Sequence, residues 1–207
     1  TLIGGQAGDA ITTGGNNTAV GKDALSATTT GADNVAIGKD ALLLNTTAAN
    51  NTAIGRHSLG ANTTGAENVA VGNYTLDANT TANNNTAVGY FSLSANTTGP
   101  SNTAVGRKAL LANTTGHSNN AFGADLPGVV AGSALGANTT GLRNSAFGGS
   151  ALATNTTGSE NTAVGGAALF SNTTASENSA VGYLSLYTNT TGTRNQAFGT
   201  YALHLNT

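Results

Sequence analysis

A 17-residue repeat runs through the whole chain and limits its fold more than any other feature. Its clearest copies read NTAVGxxALxxNTTGxx, and every step between copies is 17 residues except one of 25, from Asn119 to Asn144. The longer step places an eight-residue insertion within 124–133, predicted to be either a contact site or a bulge. Carrying the register back to Ile3 gives twelve copies in one array over residues 1–207. Because neither end has an atypical capping copy, we expect a segment of a longer array, or ends that neighbouring chains cover.

The repeat length indicates one turn of a β-solenoid, since helical hairpin repeats need about 34 residues. Within each unit NTAVG and ALxA are short β-compatible runs, separated by Gly and closed by the turn-forming string NTTG. The sequence therefore predicts an all-β fold, a parallel β-solenoid or β-roll of about twelve coils. Each coil is expected to have two strands and two bends, with about 4.8 Å between coils.

Two apolar rows are the predicted core of this solenoid. One is the Val, Ile or Phe before the first Gly, from Ile3 to Phe198, and the other is the Leu of ALxA, from Leu25 to Leu203. The Ala of NTAVG is then expected on the outer face. A small, uncharged outer face favours close packing against another chain, so we expect an oligomer.

Composition excludes several classes of protein. Only 8% of residues are charged and 5% aromatic, the net charge is −2, and Cys, Met and Trp are absent. There is no basic stripe for nucleic acid, no apolar run of the roughly 18 residues that span a membrane, and no signal-peptide pattern. His57, His117 and His204 occupy three different repeat positions, and no catalytic motif is present. We therefore predict no enzyme activity, no metal and no cofactor.

The Asn-Thr-Thr strings allow three interpretations. They can form side-chain ladders and turns, they can be N-glycosylation acceptors, or their Thr residues can order water as an ice-binding face. A fixed repeat position already explains the acceptor motif, which favours the first interpretation. The candidate ice-face residues are Thr46, Thr47, Thr63, Thr64, Thr80, Thr81, Thr97, Thr98, Thr114 and Thr115.

Variable positions lie at the predicted bends. Charges of both signs follow the conserved Gly or precede the opening Asn, as at Lys39, Asp40 and Glu67, which is typical of solvent-facing positions. Aromatic residues share the first bend and are candidates for surface contact with glycans or a receptor, or for packing between chains. These residues are Tyr74, Tyr90, Phe91, Tyr183 and Tyr201.

The repeat resembles those of phage and cyanophage tail-fibre proteins and related bacterial surface proteins. The string NTAVGxxALxxNTTGxxN, as in 85–119 and 161–195, carries this resemblance, and Asn34–Gly38 (NVAIG) is similar to the repeat of YadA-like trimeric autotransporter heads. The resemblance implies a parallel β-roll, left-handed in the YadA-like heads, with three chains packed side by side.

The sequence therefore predicts one function and leaves two alternatives open. The first is a structural fibre or adhesin rod of a phage tail fibre or bacterial surface protein. It would be a homotrimer, located outside the cell, on the virion or on the cell surface, and it would display a recognition element to a glycan or protein receptor. The second is an ice-binding solenoid that uses its Thr rows. The third is a self-assembling filament in which end coils stack subunit on subunit.

Overall fold

The chain forms a parallel β-solenoid, as the repeat predicts. A computed structural model describes residues 1–124 and 132–207, and in this part of the chain all regular elements are strands. The strands are β1 (Leu2–Ile3), β2 (Thr18–Val20), β3 (Val35–Ile37), β4 (Thr52–Ile54), β5 (Val69–Val71), β6 (Thr86–Val88), β7 (Thr103–Val105), β8 (Asn120–Phe122), β9 (Ser145–Phe147), β10 (Thr162–Val164), β11 (Ser179–Val181) and β12 (Gln196–Phe198). They pair in chain order in one sheet, with each residue opposite its equivalent in the next repeat, such as Ala36 with Ala53.

Each coil contributes one strand to this sheet, so the expectation of two strands per coil was wrong. The ALxA segment lies in turns, and its Leu has a positive φ, 51° at Leu42. A strand needs extended φ angles, which this conformation breaks. The segment still bonds from coil to coil: the Leu42 N–H donates to the Ser58 carbonyl at 3.0 Å.

The faces of the strand are the reverse of those expected from the sequence. The Ala of NTAVG points inward and is fully buried, as at Ala36 and Ala53, whereas Ile37 and Ile54 point outward and are 38% and 37% exposed. The predicted Leu row is in the core, with Leu42 fully buried. A coil of this length encloses little volume, and because the Leu fills it from the other side, only a methyl group fits opposite.

Two rows of Asn side chains, fully buried along most of the solenoid, link the coils on the inside of the turns. In one row, made by the Asn that opens each repeat, the Asn51 N–H donates to Asn34 Oδ1 at 3.0 Å, and Asn51 Nδ2 donates to the Gly65 carbonyl at 3.0 Å. In the other row, made by the Asn of NTT, Asn62 Nδ2 donates to Asn45 Oδ1 at 3.1 Å and to the same Gly65 carbonyl at 2.9 Å. Both rows therefore replace water as the partner of buried polar groups.

The Gly after the strand is required by the distance between coils. Gly38 has φ +135°, and a Cβ at this residue would lie 2.6 Å from the carbonyl carbon of Gly55 in the next coil. The same contact recurs along the sheet, so a side chain at this position would push stacked coils apart.

The ladders continue across the insertion. Asn138 Nδ2 donates to Asn113 Oδ1 at 2.9 Å, and Thr114 Oγ1 donates to the Thr139 carbonyl at 3.2 Å, although 25 residues separate each pair. Residues 125–131 of the predicted contact site or bulge lie outside the described residues. In the described ranges no helix is long and apolar enough to cross a membrane.

Candidate functional site

The outward side of the sheet is a uniform surface that runs along the solenoid. We call it the strand face and define it as the first and third residues of each strand from β2 to β12. All of these residues are uncharged. From Thr18 to Val105 every one of them is Thr, Val or Ile, so six consecutive coils present only β-branched side chains.

Further along the chain three of the outward residues of the strand face are aromatic, namely Phe122, Phe147 and Phe198. The rings of Phe122 and Phe147 stack with their centroids 4.9 Å apart and their planes 7° from parallel, and Phe147 is 41% exposed. The third residues of the strands therefore form a continuous row of Val, Ile and Phe side chains on the outward face. The uncharged outer face expected from the sequence is thus formed by the Val, Ile and Phe row, whereas the Ala row lies inside.

The predicted ice-face Thr residues separate into two rows with different roles. The first Thr of each NTT is half-buried along most of the rod, and its hydroxyl is committed to the next coil: Thr46 Oγ1 donates to the Thr63 carbonyl at 3.1 Å, and Thr63 Oγ1 to the Thr80 carbonyl at 3.0 Å. Thr80, Thr97 and Thr114 continue this row in the same way, each donating to the next coil's Thr carbonyl.

The second Thr of each string points to solvent. We call these residues the outer Thr row; they are Thr13, Thr30, Thr47, Thr64, Thr81, Thr98, Thr115, Thr140, Thr157, Thr174 and Thr191. All of them are exposed, whereas the nearby exposed position before the opening Asn varies from Asn50 to Glu67 to Arg143. The outer Thr row thus keeps one residue type where other exposed positions have diversified.

The predicted aromatic contact residues form two separate groups. Near the middle of the rod Tyr74 stacks on Phe91 with centroids 5.1 Å apart, and Tyr90 lies edge-on to both rings. At the other group Tyr183 and Tyr201 meet edge to face at 5.9 Å. The faces of Tyr74 and Phe91 are covered by neighbouring rings. Among the predicted contact residues Tyr90, Tyr183 and Tyr201 are therefore the exposed ones, at 44%, 53% and 54%.

Four further ring residues belong to these groups and were not predicted. His57 stacks on Tyr74 at 5.7 Å, and Phe170, Tyr187 and His204 form a second stacked row with spacings of 5.1 and 5.2 Å. The signal that finds them is repeat position, because rings 17 residues apart in this sequence come to lie one coil apart. His117 lies elsewhere, with Nδ1 3.2 Å from Ser118 Oγ.

Charged side chains lie near His57. Its Nε2 lies 3.2 Å from Asp40 Oδ2, and the Arg56 guanidinium carbon is 5.5 Å from the centre of the Tyr74 ring. Burial raises the pKa of the Asp77 carboxyl, whose Oδ1 is buried without a hydrogen-bond partner. Among the described residues no group of three or more His, Cys, Asp and Glu side chains is arranged to hold a metal ion.

Comparison of this chain with protein-family models, with curated proteins and with solved structures finds no match.

Proposed function

We propose that this chain is a structural rod of a fibre or adhesin, of the kind found in phage tail fibres or bacterial surface proteins. The rod stands outside the cell, on a virion or on a cell surface. It holds a recognition element away from the particle and contacts a glycan or protein receptor through its bends. Twelve coils at about 4.8 Å give it a length of roughly 55 Å.

The observation that carries this proposal is the uncharged strand face that follows the whole rod. Exposed apolar area of this extent is costly in water, and association of chains along the stripe removes it from solvent. A stripe roughly 55 Å long and one short strand wide, about 10 Å, covers less than the roughly 800 Å² per partner of a standard two-chain interface. Three stripes that meet on one axis add contacts from the neighbouring bends, which favours a homotrimer.

The bends supply the second part of the function. They carry the charges of the chain and the exposed rings of Tyr90, Tyr183 and Tyr201, and they lie off the strand face. Aromatic side chains with a polar tip are typical of contact surfaces. In a trimer associated through the strand face these rings stay accessible to a receptor.

The solution mass of the purified chain tests the rod. We expect a trimer of the 20.2 kDa chain by sedimentation and light scattering. Val88→Glu places a charge on the strand face and should release monomers, because a buried unpaired charge is strongly unfavourable. Thr98→Glu is the matched control, since this residue is exposed in the outer Thr row, and it should leave the mass unchanged.

Two other outcomes would contradict the laterally associated rod. A wild-type chain that is folded by circular dichroism but monomeric by mass would contradict lateral association. Endless threads in electron micrographs would support the filament of end-to-end stacked subunits in its place.

A second candidate, ice binding, is favoured by one observation, the outer Thr row. Its eleven Thr residues are exposed at the same position of successive coils, and within the described residues no hydroxyl of this row donates a hydrogen bond. An array of methyl and hydroxyl groups at one spacing can order water along a line. Thermal hysteresis of the purified chain tests this, with Thr64→Tyr and Thr98→Tyr expected to abolish the activity and Val88→Thr on the strand face to keep it. Absence of thermal hysteresis in the wild-type protein would contradict the ice-binding function.

A further inference from the structure

The fold divides the N-glycosylation motifs of the chain into two classes. Thirteen Asn residues begin an Asn-x-Thr sequon. Nine of them are the Asn of NTT, and we call these the closed sequons: Asn45, Asn62, Asn79, Asn96, Asn113, Asn138, Asn155, Asn172 and Asn189. The other four we call the open sequons: Asn16, Asn50, Asn73 and Asn84.

In the closed sequons the acceptor nitrogen has no room and no free proton. All nine Asn side chains are fully buried. Asn113 is typical: its Nδ2 donates to Asn96 Oδ1 at 2.9 Å and to the Gly116 carbonyl at 2.9 Å, so both N–H groups are used. Asn189, eight coils after Asn45, makes the same pair of bonds, to Asn172 Oδ1 at 3.2 Å and to the Gly192 carbonyl at 2.9 Å.

N-glycosylation would break this row chemically. In the transfer the Asn Nδ2 attacks the first sugar carbon of a lipid-diphosphate-linked oligosaccharide. The N–C bond forms, the C–O bond to the diphosphate breaks, the lipid diphosphate leaves, and one Nδ2 proton passes to the medium. One N–H of the pair is then lost, and a sugar occupies the space between stacked coils, where the interior is close-packed.

The open sequons lie on the surface of the same rod. Asn16, Asn50 and Asn84 share the repeat position before the opening Asn, and Asn73 follows the Gly after β5; all four are exposed. Asn16 Nδ2 bonds to the Asp33 carboxylate at 2.9 Å, which is also exposed. A glycan at these residues would extend into solvent without entering the coil.

We propose that this chain folds only where its closed sequons escape N-glycosylation, so that it must be made and stacked in a compartment without an oligosaccharyltransferase. Sequons are modified on the extended chain, and in that state all thirteen are accessible. A chain glycosylated at NTT cannot form the buried row of NTT Asn side chains, whereas a chain modified only at the open sequons can.

The test compares three forms of the full chain in a eukaryotic host, each made in the cytosol and through the secretory pathway behind a cleavable signal. The first form is the wild type. The second changes the Thr that completes each closed sequon to Ala, which removes the motif, and the third changes the same residues to Ser, which keeps it. The changed residues are Thr47, Thr64, Thr81, Thr98, Thr115, Thr140, Thr157, Thr174 and Thr191, all in the exposed outer Thr row.

We expect all three forms to fold in the cytosol with the same circular dichroism. In the secretory pathway the wild type and the Ser form should carry glycans on closed sequons and fail to be secreted as folded rods. The Ala form should be secreted folded, with glycans on open sequons only. Secretion of folded wild-type rods would overturn the proposal, and so would failure of the Ala form in the secretory pathway alone.

A second measurement does not depend on these variants. Folded and urea-unfolded wild-type chains are presented to a purified oligosaccharyltransferase with its lipid-linked donor, and the sites are read by mass spectrometry. The folded chain should carry no glycan at the closed sequons, whereas the unfolded chain should accept glycans at NTT and serves as the positive control. A glycan on a closed sequon of the folded chain would overturn the proposal.

Discussion

At the scale of single residues the buried amides distinguish this solenoid from one held by apolar contacts alone. In both buried Asn rows the side-chain oxygen of one Asn accepts a hydrogen bond from the Asn of the next coil, so each row is a chain of mutually dependent bonds. Asn85 departs from this pattern, because its Nδ2 is buried without a hydrogen-bond partner. The role of a given Asn is therefore set by its neighbours as well as by its position in the repeat.

Removal of one buried NTT Asn should lower the stability of the fold. Asn96→Ala deletes the acceptor of Asn113 Nδ2 and leaves the Gly99 carbonyl with one donor fewer, so we expect the free energy of unfolding to fall by about 2 to 4 kcal/mol. Thr98→Ala, two residues on, changes an exposed side chain and should cost less than about 0.5 kcal/mol. Urea denaturation of both variants measures this difference, and equal losses would contradict the role of the amide row.

The Asp77 carboxyl should make stability depend on pH in a definite direction. Because burial raises its pKa, the folded chain holds this proton more tightly than the unfolded chain. The ionised carboxylate therefore destabilises the fold above the folded pKa, and the effect disappears as the pH falls below the unfolded value of 3.8.

Asp77→Asn is expected to raise the free energy of unfolding at pH 7 by up to about 1 kcal/mol, since the site is half-exposed and screened. The difference between variant and wild type should vanish near pH 3. Asp9→Asn is the matched control, because Asp9 occupies the same repeat position but is exposed. Urea unfolding at several pH values measures both, and a destabilised Asp77→Asn at neutral pH would contradict the assignment.

At the scale of the element the three-residue strand is the part of the coil with extended geometry. Three non-glycine residues in a typical coil have positive φ, such as His57, Leu59 and Glu67 in the coil that contains β4. Each such conformation costs on the order of 1 kcal/mol for an ordinary side chain, and the stacking of identical turns offsets this cost. Strand and turns therefore stabilise each other between coils more than within a coil.

The orientation of the strand can be tested with two neighbouring residues. Ala104 is fully buried, and Val105 faces outward. Ala104→Val should destabilise the chain by about 1 to 3 kcal/mol, because the interior opposite Leu is already filled. Val105→Ala should change monomer stability by less than about 1 kcal/mol. The opposite order of the two effects, measured by denaturation at low protein concentration, would restore the orientation expected from the sequence.

At the scale of the whole molecule the rod is a one-dimensional stack in which each coil contacts only its neighbours. Stability then depends on the number of coil-to-coil interfaces, and a unit can be removed if the register is kept. The hydrogen bond that Asn138 Nδ2 donates to Asn113 Oδ1 shows that an insertion within a coil leaves this ladder intact.

Deletion of one whole repeat, residues 161–177, should give a folded rod shorter by about 4.8 Å, because Ala146 then pairs with Ala180 as it did with Ala163. Deletion of residues 161–168 alone removes half a coil and should abolish cooperative folding, since strands would lie against turns. Circular dichroism and small-angle scattering distinguish the two products. A folded half-coil deletion would contradict the requirement for register.

The sequence by itself determined the length of the coil, the parallel register, the Leu core and the mixed charges at the bends, because a covalent period fixes which residues stack. It did not determine which side of NTAVG faces inward, since Val-in and Ala-in give the same alternating pattern. Only the tertiary structure decided this, through the small volume that Leu leaves inside the coil. The fold also decided which Thr of each pair is free and which Asn residues are closed, because these depend on the direction of each turn, which repeat spacing does not specify.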